Sequence, residues 1–208
     1  MPKGPEKMTN KFELVDRFPE LVKLKGVVEN NAWHDYDDVL KHTEEVMKNV
    51  KSIIQRDNLE VYFNQPVGGE FTRGETLVMA AAFHDIAKPE TIEINGTVTS
   101  CPNHELIGAG QTEEILKSKF DNNVVNRVVS IIQNHGVPIG IFSPEKSEDQ
   151  FKQELYKLKQ EKGDIFVDLM VLVIADTKSS QLNKKNPEEF NFRISLGNKV
   201  LNELSLEN

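Results

Sequence analysis

Apolar residues recur at intervals of three and four along most of the chain, which is the spacing of one buried helical face. The pattern is strongest at 37–55 and 164–177. Residues 12–28 show it weakly and predict only a peripheral helical segment. The predicted helices span residues 37–55, 72–87, 102–119, 122–135, 151–158, 164–177 and 186–206.

Three connecting segments interrupt the helical pattern. Residues 57–71 and 136–149 contain several Asn, Gly and Pro residues and predict loops. Alternating β-branched residues flank Asn95-Gly96, which predicts a β-hairpin at 91–99 with a type I′ turn. The predicted fold is therefore all-α, a bundle of about seven helices with one small β-hairpin.

The length and composition indicate one globular domain. A chain of 208 residues with 38% hydrophobic and 28% charged residues suits a single packed core. Residues 1–11 are rich in Lys and Pro and predict a flexible tail. We therefore predict one domain over 1–208 that ends in the helix at 186–206.

The net charge of −8 argues against broad nucleic-acid binding through a basic surface. It leaves a nucleotide substrate open, because a bound metal supplies local positive charge. The single cysteine, Cys101, permits no intramolecular disulfide, which fits a reducing cytosol. The apolar runs at 77–83 and 169–175 are too short to span a bilayer, and no signal-like segment opens the chain. We predict a cytoplasmic protein without a membrane partner.

Four of the five histidines fall on or beside apolar helix faces or at helix starts. Two aspartates accompany them, and one of these, Asp176, faces inward, where a carboxylate is costly unless its charge is compensated. Imidazole and carboxylate are ligands of borderline divalent metals. The candidate metal ligands are His42, His84, Asp85, His104, His135 and Asp176.

Adjacent ligands occur only at His84 and Asp85, so Asp85 is the best candidate to bridge two metals. Two neighbouring metals can activate a water molecule and offset the charge of phosphoryl oxygens. Two sets of residues, which share Asp85, would then each bind one metal ion. The sets are His42, His84, Asp85 and Asp176, and Asp85, His104 and His135.

Each candidate also has a structural interpretation. Asp85 can pair with Lys88, Asp176 can pair with Lys178, and His104 can be an ordinary first-turn residue. Six such coincidences are less economical than one shared cause. The fifth histidine, His34, precedes the first strong helix, and a loop role and a substrate contact both stay open for it.

Several segments resemble HD-domain phosphohydrolases. The opening helix of that family is similar to 34–43, and its defining doublet is similar to 84–89, His-Asp-Ile-Ala-Lys-Pro. The later ligands follow in the family's order at 103–105, His135 and Asp176. The resemblance covers a metal-binding core at about 34–178. Its middle part, 84–108, is especially similar to the HD domain of bacterial CCA-adding tRNA nucleotidyltransferases.

The resemblance implies an all-α fold and metal-dependent hydrolysis of phosphomonoesters or phosphodiesters. It implies that His104 and His135 hold a second metal or contact the substrate phosphate, and that the other four candidates are the core ligands. Lys88 resembles a lysine that neutralises phosphate charge. Its alternative role is that of a cation at a helix C-terminus.

We therefore predict a metal-dependent phosphohydrolase that cleaves a nucleotide or cyclic nucleotide ester. It would use one or two divalent ions of Mn, Ni, Co, Mg, Fe or Zn. Asp85 and Lys88 would be catalytic, and Lys88, His104, His135 and His34 would contact the substrate. The alternatives are a di-iron HD-type oxygenase and a non-catalytic regulatory module that binds a nucleotide or metal.

Overall fold

The computed structural model describes residues 17–204. The predicted tail at 1–11 and residues 205 and 206 of the last predicted helix lie outside the described residues. Within 17–204, no helix combines the length and the apolar character needed to cross a bilayer.

Seven helices of more than ten residues make up most of the described chain, and each corresponds to a predicted helix. In chain order they are α1 (Val39–Ile54), α3 (Arg73–Phe83), α5 (His104–Leu116), α6 (Asn122–Asn134), α8 (Glu148–Glu161), α9 (Phe166–Ser179) and α11 (Pro187–Leu204). Shorter helices connect them: α2 (Asp57–Phe63), α4 (Lys88–Thr91), α7 (Val137–Ile141) and α10 (Leu182–Lys185). The weak helical segment predicted at 12–28 is a 3-10 helix at Pro19–Leu24, and residues 12–16 are outside the described residues. The prediction of an all-α bundle is confirmed.

Within the described residues, three antiparallel hairpins interrupt the helices. They pair β1 (Val28–Asn30) with β2 (Asp35–Asp38), β3 (Pro66–Gly68) with β4 (Phe71–Thr72), and β5 (Glu93–Asn95) with β6 (Val98–Ser100). Only the last was predicted. Its turn was predicted wrongly, because Asn95 pairs with Val98 and Gly96 alone in the turn has a positive φ, +65°. A positive φ at the first central residue is the type II′ pattern.

The segments at 57–71 and 136–149 were wrongly predicted to be irregular loops. The first contains α2, whose Leu59 and Phe63 lie four residues apart and are both buried. The second contains α7, which has Pro138 in its first turn, where the missing N–H needs no partner. Both helices are too short for a periodic pattern to stand out from the surrounding turn residues.

The core forms around two helices that are apolar on most sides. Helix α9 packs against α1 and α11, and α3 packs against α1 and α6. Most residues of α9 and all of 76–83 in α3 are buried. A helix that is hydrophobic all round must be enclosed by others, and this requirement places α3 and α9 at the centre of the bundle.

Gly197 lets α11 approach α9 closely, so Gly197→Ala is expected to destabilise the fold. An added Cβ would lie 2.6 Å from Cγ1 of Ile174, which is buried in α9. Overpacking of this kind costs about 1–3 kcal/mol. Urea unfolding measures the loss. The matched control is Gly110→Ala in α5, where an added Cβ would meet no atom outside the local helix backbone within 4 Å, and a gain of about 0.5–1 kcal/mol is expected there. Equal changes in the free energy of unfolding for Gly197→Ala and Gly110→Ala would contradict the explanation that Gly197 permits close packing of α11 on α9.

Candidate metal centre

Five helices bring the six predicted metal ligands to one place. Helix α3 ends at Phe83, earlier than predicted, so His84 and Asp85 lie in the turn that leads to α4. Asn103, with φ +59°, turns the chain into α5. The ligands are His42 on α1, His84 and Asp85 in the turn after α3, His104 at the start of α5, His135 at the C-cap of α6, and Asp176 near the end of α9.

Three of these histidines are held in the same way. Nδ1 of His84 lies 2.8 Å from the carbonyl oxygen of Ala81, three residues earlier. Nδ1 of His104 and of His135 makes the same contact with the carbonyl of the third residue before it, at 2.7 Å and 2.6 Å. A carbonyl oxygen only accepts, so Nδ1 carries the proton. In the neutral ring Nε2 then keeps its lone pair, as a metal ligand must.

The ligand atoms form two neighbouring groups of three, within each of which all ligand atoms lie within 4.8 Å of one another. One group is His42, His84 and Asp176, and the other is Asp85, His104 and His135.

The Asp85 carboxylate belongs to the second group and also reaches the first. Its Oδ2 is 3.1 Å from Nε2 of His84 and 3.8 Å from Nε2 of His42, and its Oδ1 is 3.5 Å from Nε2 of His104. In the first group, Nε2 of His42 lies 2.9 Å from Oδ1 of Asp176. One carboxylate therefore reaches both groups with different oxygens, which is the arrangement expected of a bridging ligand.

The polar atoms of the centre fit a bound cation. His42 Nδ1, His84 Nε2 and Asp85 Oδ2 are buried and make no hydrogen bond to any residue within 17–204. Buried polar atoms are normally paired, because leaving one unpaired costs about 1–3 kcal/mol. Nε2 of His84 and Oδ2 of Asp85 lie 3.1 Å apart, and Oδ2 of Asp85 also faces the Lys88 ammonium at 2.9 Å. A divalent ion bound by these two atoms would satisfy the lone pair of His84 Nε2.

The electrostatics of the centre keep both carboxylates ionised. Burial opposes the charge on Asp85, but His84 and Lys88 outweigh it and hold the pKa of Asp85 well below its usual range. Burial also opposes the charge on Asp176, and the hydrogen bond from His42 lowers its pKa. Burial, together with His84 and His104, lowers the pKa of His135 to about 4. At neutral pH the centre therefore offers two carboxylates and an unprotonated His135.

The structure places His34 beside the centre. It lies in the turn between β1 and β2, where Nδ1 is 3.2 Å from Oδ2 of Asp37. Its ring packs edge-on against the ring of His42, with the centroids 4.9 Å apart. Burial and the neighbouring His42 lower the pKa of His34. The loop position was expected, whereas its contact with a candidate ligand was not.

A cavity of about 360 Å³ opens onto these residues. A larger cavity of about 610 Å³, near Arg73 and Arg127, has no histidine in its lining, and we therefore assign the chemistry to the smaller one. Of the predicted ligands, His42 and His84 lie behind the cavity wall. The lining consists of Glu29, Asn31, Ala32, Trp33, His34, Asp85, Lys88, His104, Glu105, His135, Ile139 and Asp176.

Comparison with known families agrees with this geometry. The family model described as HD domain matches residues 39–170, more than half of the chain. The chain belongs to the HD-domain family. This is a superfamily of metal-dependent phosphohydrolases whose members bind divalent metals. No curated protein matches the chain at a significant level. The resemblance to the HD domain of CCA-adding enzymes stays a prediction, because the matching model describes the HD domain in general.

In this HD domain, Lys88 is held by two carboxylates. Its Nζ donates to Oε2 of Glu29 at 2.6 Å and lies 2.9 Å from Oδ2 of Asp85. Burial opposes the ammonium charge, but the two carboxylates outweigh it and raise the pKa of Lys88. The lysine is therefore a permanent cation that orients Asp85. Its predicted contact with a substrate phosphate stays a prediction.

Glu29 is a functional candidate that the sequence analysis missed. It is buried on β1, outside the residues matched by the family model. The hairpin β5–β6 holds this strand in place, since Asn30 donates its backbone N–H to Thr99 Oγ1 at 2.8 Å. Nothing in the local sequence separates Glu29 from the surface glutamates. Its role becomes visible only through Lys88, which lies 59 residues further along the chain.

Cys101, the single cysteine, lies beside the same glutamate. Its thiol is 3.9 Å from Oε1 of Glu29. Burial and the nearby Glu29 raise the pKa of Cys101 to about 12. The free thiol therefore stays protonated at neutral pH.

Glu29→Gln is expected to lower hydrolytic activity about 10- to 100-fold, the usual cost of losing a residue that orients a metal ligand. Glutamine keeps the size of the side chain but leaves the Lys88 charge to Asp85 alone. Activity at saturating metal, measured together with metal content, tests this. Glu93→Gln, on the exposed strand β5, is the matched control. Unchanged activity in Glu29→Gln would show that Lys88 positions Asp85 without this partner.

Proposed function

We propose that this chain is a metal-dependent phosphohydrolase that cleaves a phosphomonoester or phosphodiester of a nucleotide or cyclic nucleotide. The observation that carries the proposal is the pair of ligand groups joined by Asp85 at a cavity of about 360 Å³. Cavities of about 300–1,000 Å³ are typical of sites for small organic molecules. We expect one ion at each ligand group.

Divalent ions at the two groups would polarise phosphoryl oxygens and lower the pKa of water. The residues of the chain orient these ions and handle the proton. Asp176 is the better placed of the two carboxylates to accept a proton from the attacking water, because it is partly exposed to the cavity whereas Asp85 is almost fully buried. Asp85 then acts mainly as the ligand that holds both groups in register.

The remaining residues have roles that follow from their charge states. His135 has a pKa of about 4, set by burial and the neighbouring histidines, so it acts as a ligand and not as a proton donor at neutral pH. His104 is less buried and lies at the cavity, where it can contact either an ion or a phosphoryl oxygen. His34 lines the cavity from the opposite loop and is placed for a substrate contact.

The decisive experiment combines elemental analysis of the purified protein with a hydrolysis panel. The panel covers mononucleotides, cyclic nucleotides and deoxynucleoside triphosphates, each with Mn²⁺, Ni²⁺, Co²⁺ or Mg²⁺. The proposal predicts release of phosphate or nucleotide that a chelator stops and added metal restores. Oxygen consumption by an iron-loaded protein without hydrolysis would identify an oxygenase. Nucleotide binding without turnover under any metal would identify a regulatory module.

A further inference from the structure

The cavity at the metal centre has an apolar side that the metal chemistry does not use. Its lining is polar or ionisable except for Ala32, Trp33 and Ile139. Trp33 and Ile139 are both half-buried, and they come from separate parts of the fold, the β1–β2 turn and α7. We call these two residues the apolar lip. Neither belongs to the candidate ligand set.

One buried arginine holds both parts of the apolar lip. The guanidinium of Arg193, on α11, lies 4.7 Å from the centroid of the Trp33 ring. Its Nη1 donates to the carbonyl oxygen of Ile139 at 2.7 Å, and its Nε donates to Oε1 of Glu189 at 2.8 Å. Glu189 balances the charge, so Arg193 is a fixed support behind the indole. A cation over an aromatic face also stabilises the ring position.

Hydrogen bonds also hold the backbone of the β1–β2 turn that carries Trp33. Oδ1 of Asn31 accepts the backbone N–H groups of Trp33 and His34, at 2.8 Å and 3.0 Å. The backbone N–H of Gln181 donates to the carbonyl of Trp33 at 2.8 Å, and Lys185 donates to the carbonyl of Asn31. A large aromatic surface is therefore ordered before any ligand arrives. Such preorganisation removes an entropy cost from binding.

We propose that the apolar lip binds the nucleobase of the substrate by stacking on Trp33, and that Arg193 is the positioning residue. This inference rests on the proposed function, because it assumes that the phosphate lies at the histidine and aspartate side of the same cavity. Stacking accepts every base, since each has a π-face. The site therefore selects phosphate esters that carry a planar ring and discriminates weakly among the bases.

The chain contains one tryptophan and three tyrosines, so fluorescence excited at a wavelength that tyrosine does not absorb reports Trp33 alone. AMP and adenosine are expected to quench this fluorescence saturably, whereas ribose 5-phosphate, which lacks the base, is not. By calorimetry, Trp33→Ala should weaken AMP binding on the order of 10- to 100-fold, the worth of one base–aromatic stack. Trp33→Phe keeps a ring and should retain most of the affinity.

Arg193→Met tests the positioning role separately. It should shift the Trp33 emission to longer wavelength and raise KM for the nucleotide more than it lowers kcat. Arg193→Lys keeps the charge but cannot contact Glu189 and Ile139 together, so it should rescue only part of the effect. Circular dichroism melts identify any variant that has lost its fold, and the wild-type fluorescence comparison of AMP with ribose 5-phosphate needs no variant at all.

The outcomes separate this inference from the proposed function. Quenching by AMP without hydrolysis of any ester would retain the apolar lip and overturn the hydrolase. Metal-dependent hydrolysis with no quenching, or with the same affinity for AMP in Trp33→Ala as in the wild type, would overturn the apolar lip alone. Equal loss of AMP and ribose 5-phosphate binding in Trp33→Ala would also overturn it, because the effect would then be general damage to the cavity.

Discussion

Asp85→Asn is expected to remove metal and hydrolysis together, with a loss of activity on the order of 10³-fold or more. The estimate follows because metal ions contribute several kcal/mol to catalysis and each 1.36 kcal/mol is tenfold in rate. Asparagine keeps the shape of the side chain but not its charge. The carboxylate of Asp85 reaches both ligand groups, lying 3.1 Å from Nε2 of His84 and 3.5 Å from Nε2 of His104, so both groups lose a ligand at once.

Elemental analysis and initial rates on the same preparation measure this effect. Asp149→Asn is the matched control, since this aspartate is exposed in the first turn of α8 and should leave metal content and rate unchanged. His84→Ala should reproduce the loss from the first ligand group. Full activity in a metal-depleted Asp85→Asn protein would overturn both the metal centre and the hydrolase.

Arg127→Met is expected to destabilise the fold by about 3–5 kcal/mol, the usual cost of leaving one buried charge without its partner. Arg127 on α6 and Asp168 on α9 are both buried, and Nη2 lies 2.6 Å from Oδ2. Tyr62 also donates its hydroxyl to this oxygen at 2.8 Å, but it carries no charge to replace the guanidinium. Urea unfolding of the two proteins at pH 8 measures the difference.

The difference in free energy of unfolding between the wild type and Arg127→Met should shrink as the pH falls. Burial raises the pKa of Asp168 to about 6 in the wild type, with Arg127 opposing the rise, so loss of Arg127 raises this pKa further. The folded state then binds a proton that the unfolded chain, with an aspartate pKa of about 3.9, does not bind. The Arg127→Met protein therefore regains stability as the pH falls through the pKa that Asp168 has in the folded state.

The double variant Arg127→Met, Asp168→Leu provides the control. It removes both charges, and replacement of a buried pair by apolar groups is often close to neutral. We expect it to be more stable than Arg127→Met at pH 8, and to lack the gain in stability that Asp168 gives the single variant as the pH falls. A single-variant deficit that is equal at pH 8 and pH 5.5, or a double variant as unstable as the single one, would contradict the buried-charge explanation.

Local pattern was sufficient for the long helices and for the place of His42 on the first of them. His42 lies between Val39 and Val46 in sequence, and all three are buried on α1. Thr72 and Glu75 form a capping box at the start of α3, which is where the predicted helix 72–87 also begins. These features depend on neighbours within one or two turns, and sequence spacing records such neighbours directly.

Local pattern failed where structure depends on distant partners. The two unpredicted hairpins have short strands and lack the alternating β-branched residues around Asn-Gly that predicted β5 and β6. Trp33 becomes part of the site wall only because α11 places Arg193 behind its ring, 160 residues later. Asp168 lies in the first turn of α9, where an exposed acid is ordinary, and it is buried only because α6 places Arg127 against it.

The sequence by itself determined the bundle, the family resemblance and the residue types capable of binding metal, because periodicity and ligand chemistry are properties of the chain order. The two ligand sets that share Asp85 were predicted from the sequence, but only the tertiary structure gives the distances between their atoms. It also decided that Lys88 is held by Glu29 and that Trp33 faces the same cavity. The reason is physical: convergence depends on how far apart packed helices place their ends, and no one-dimensional spacing contains that distance.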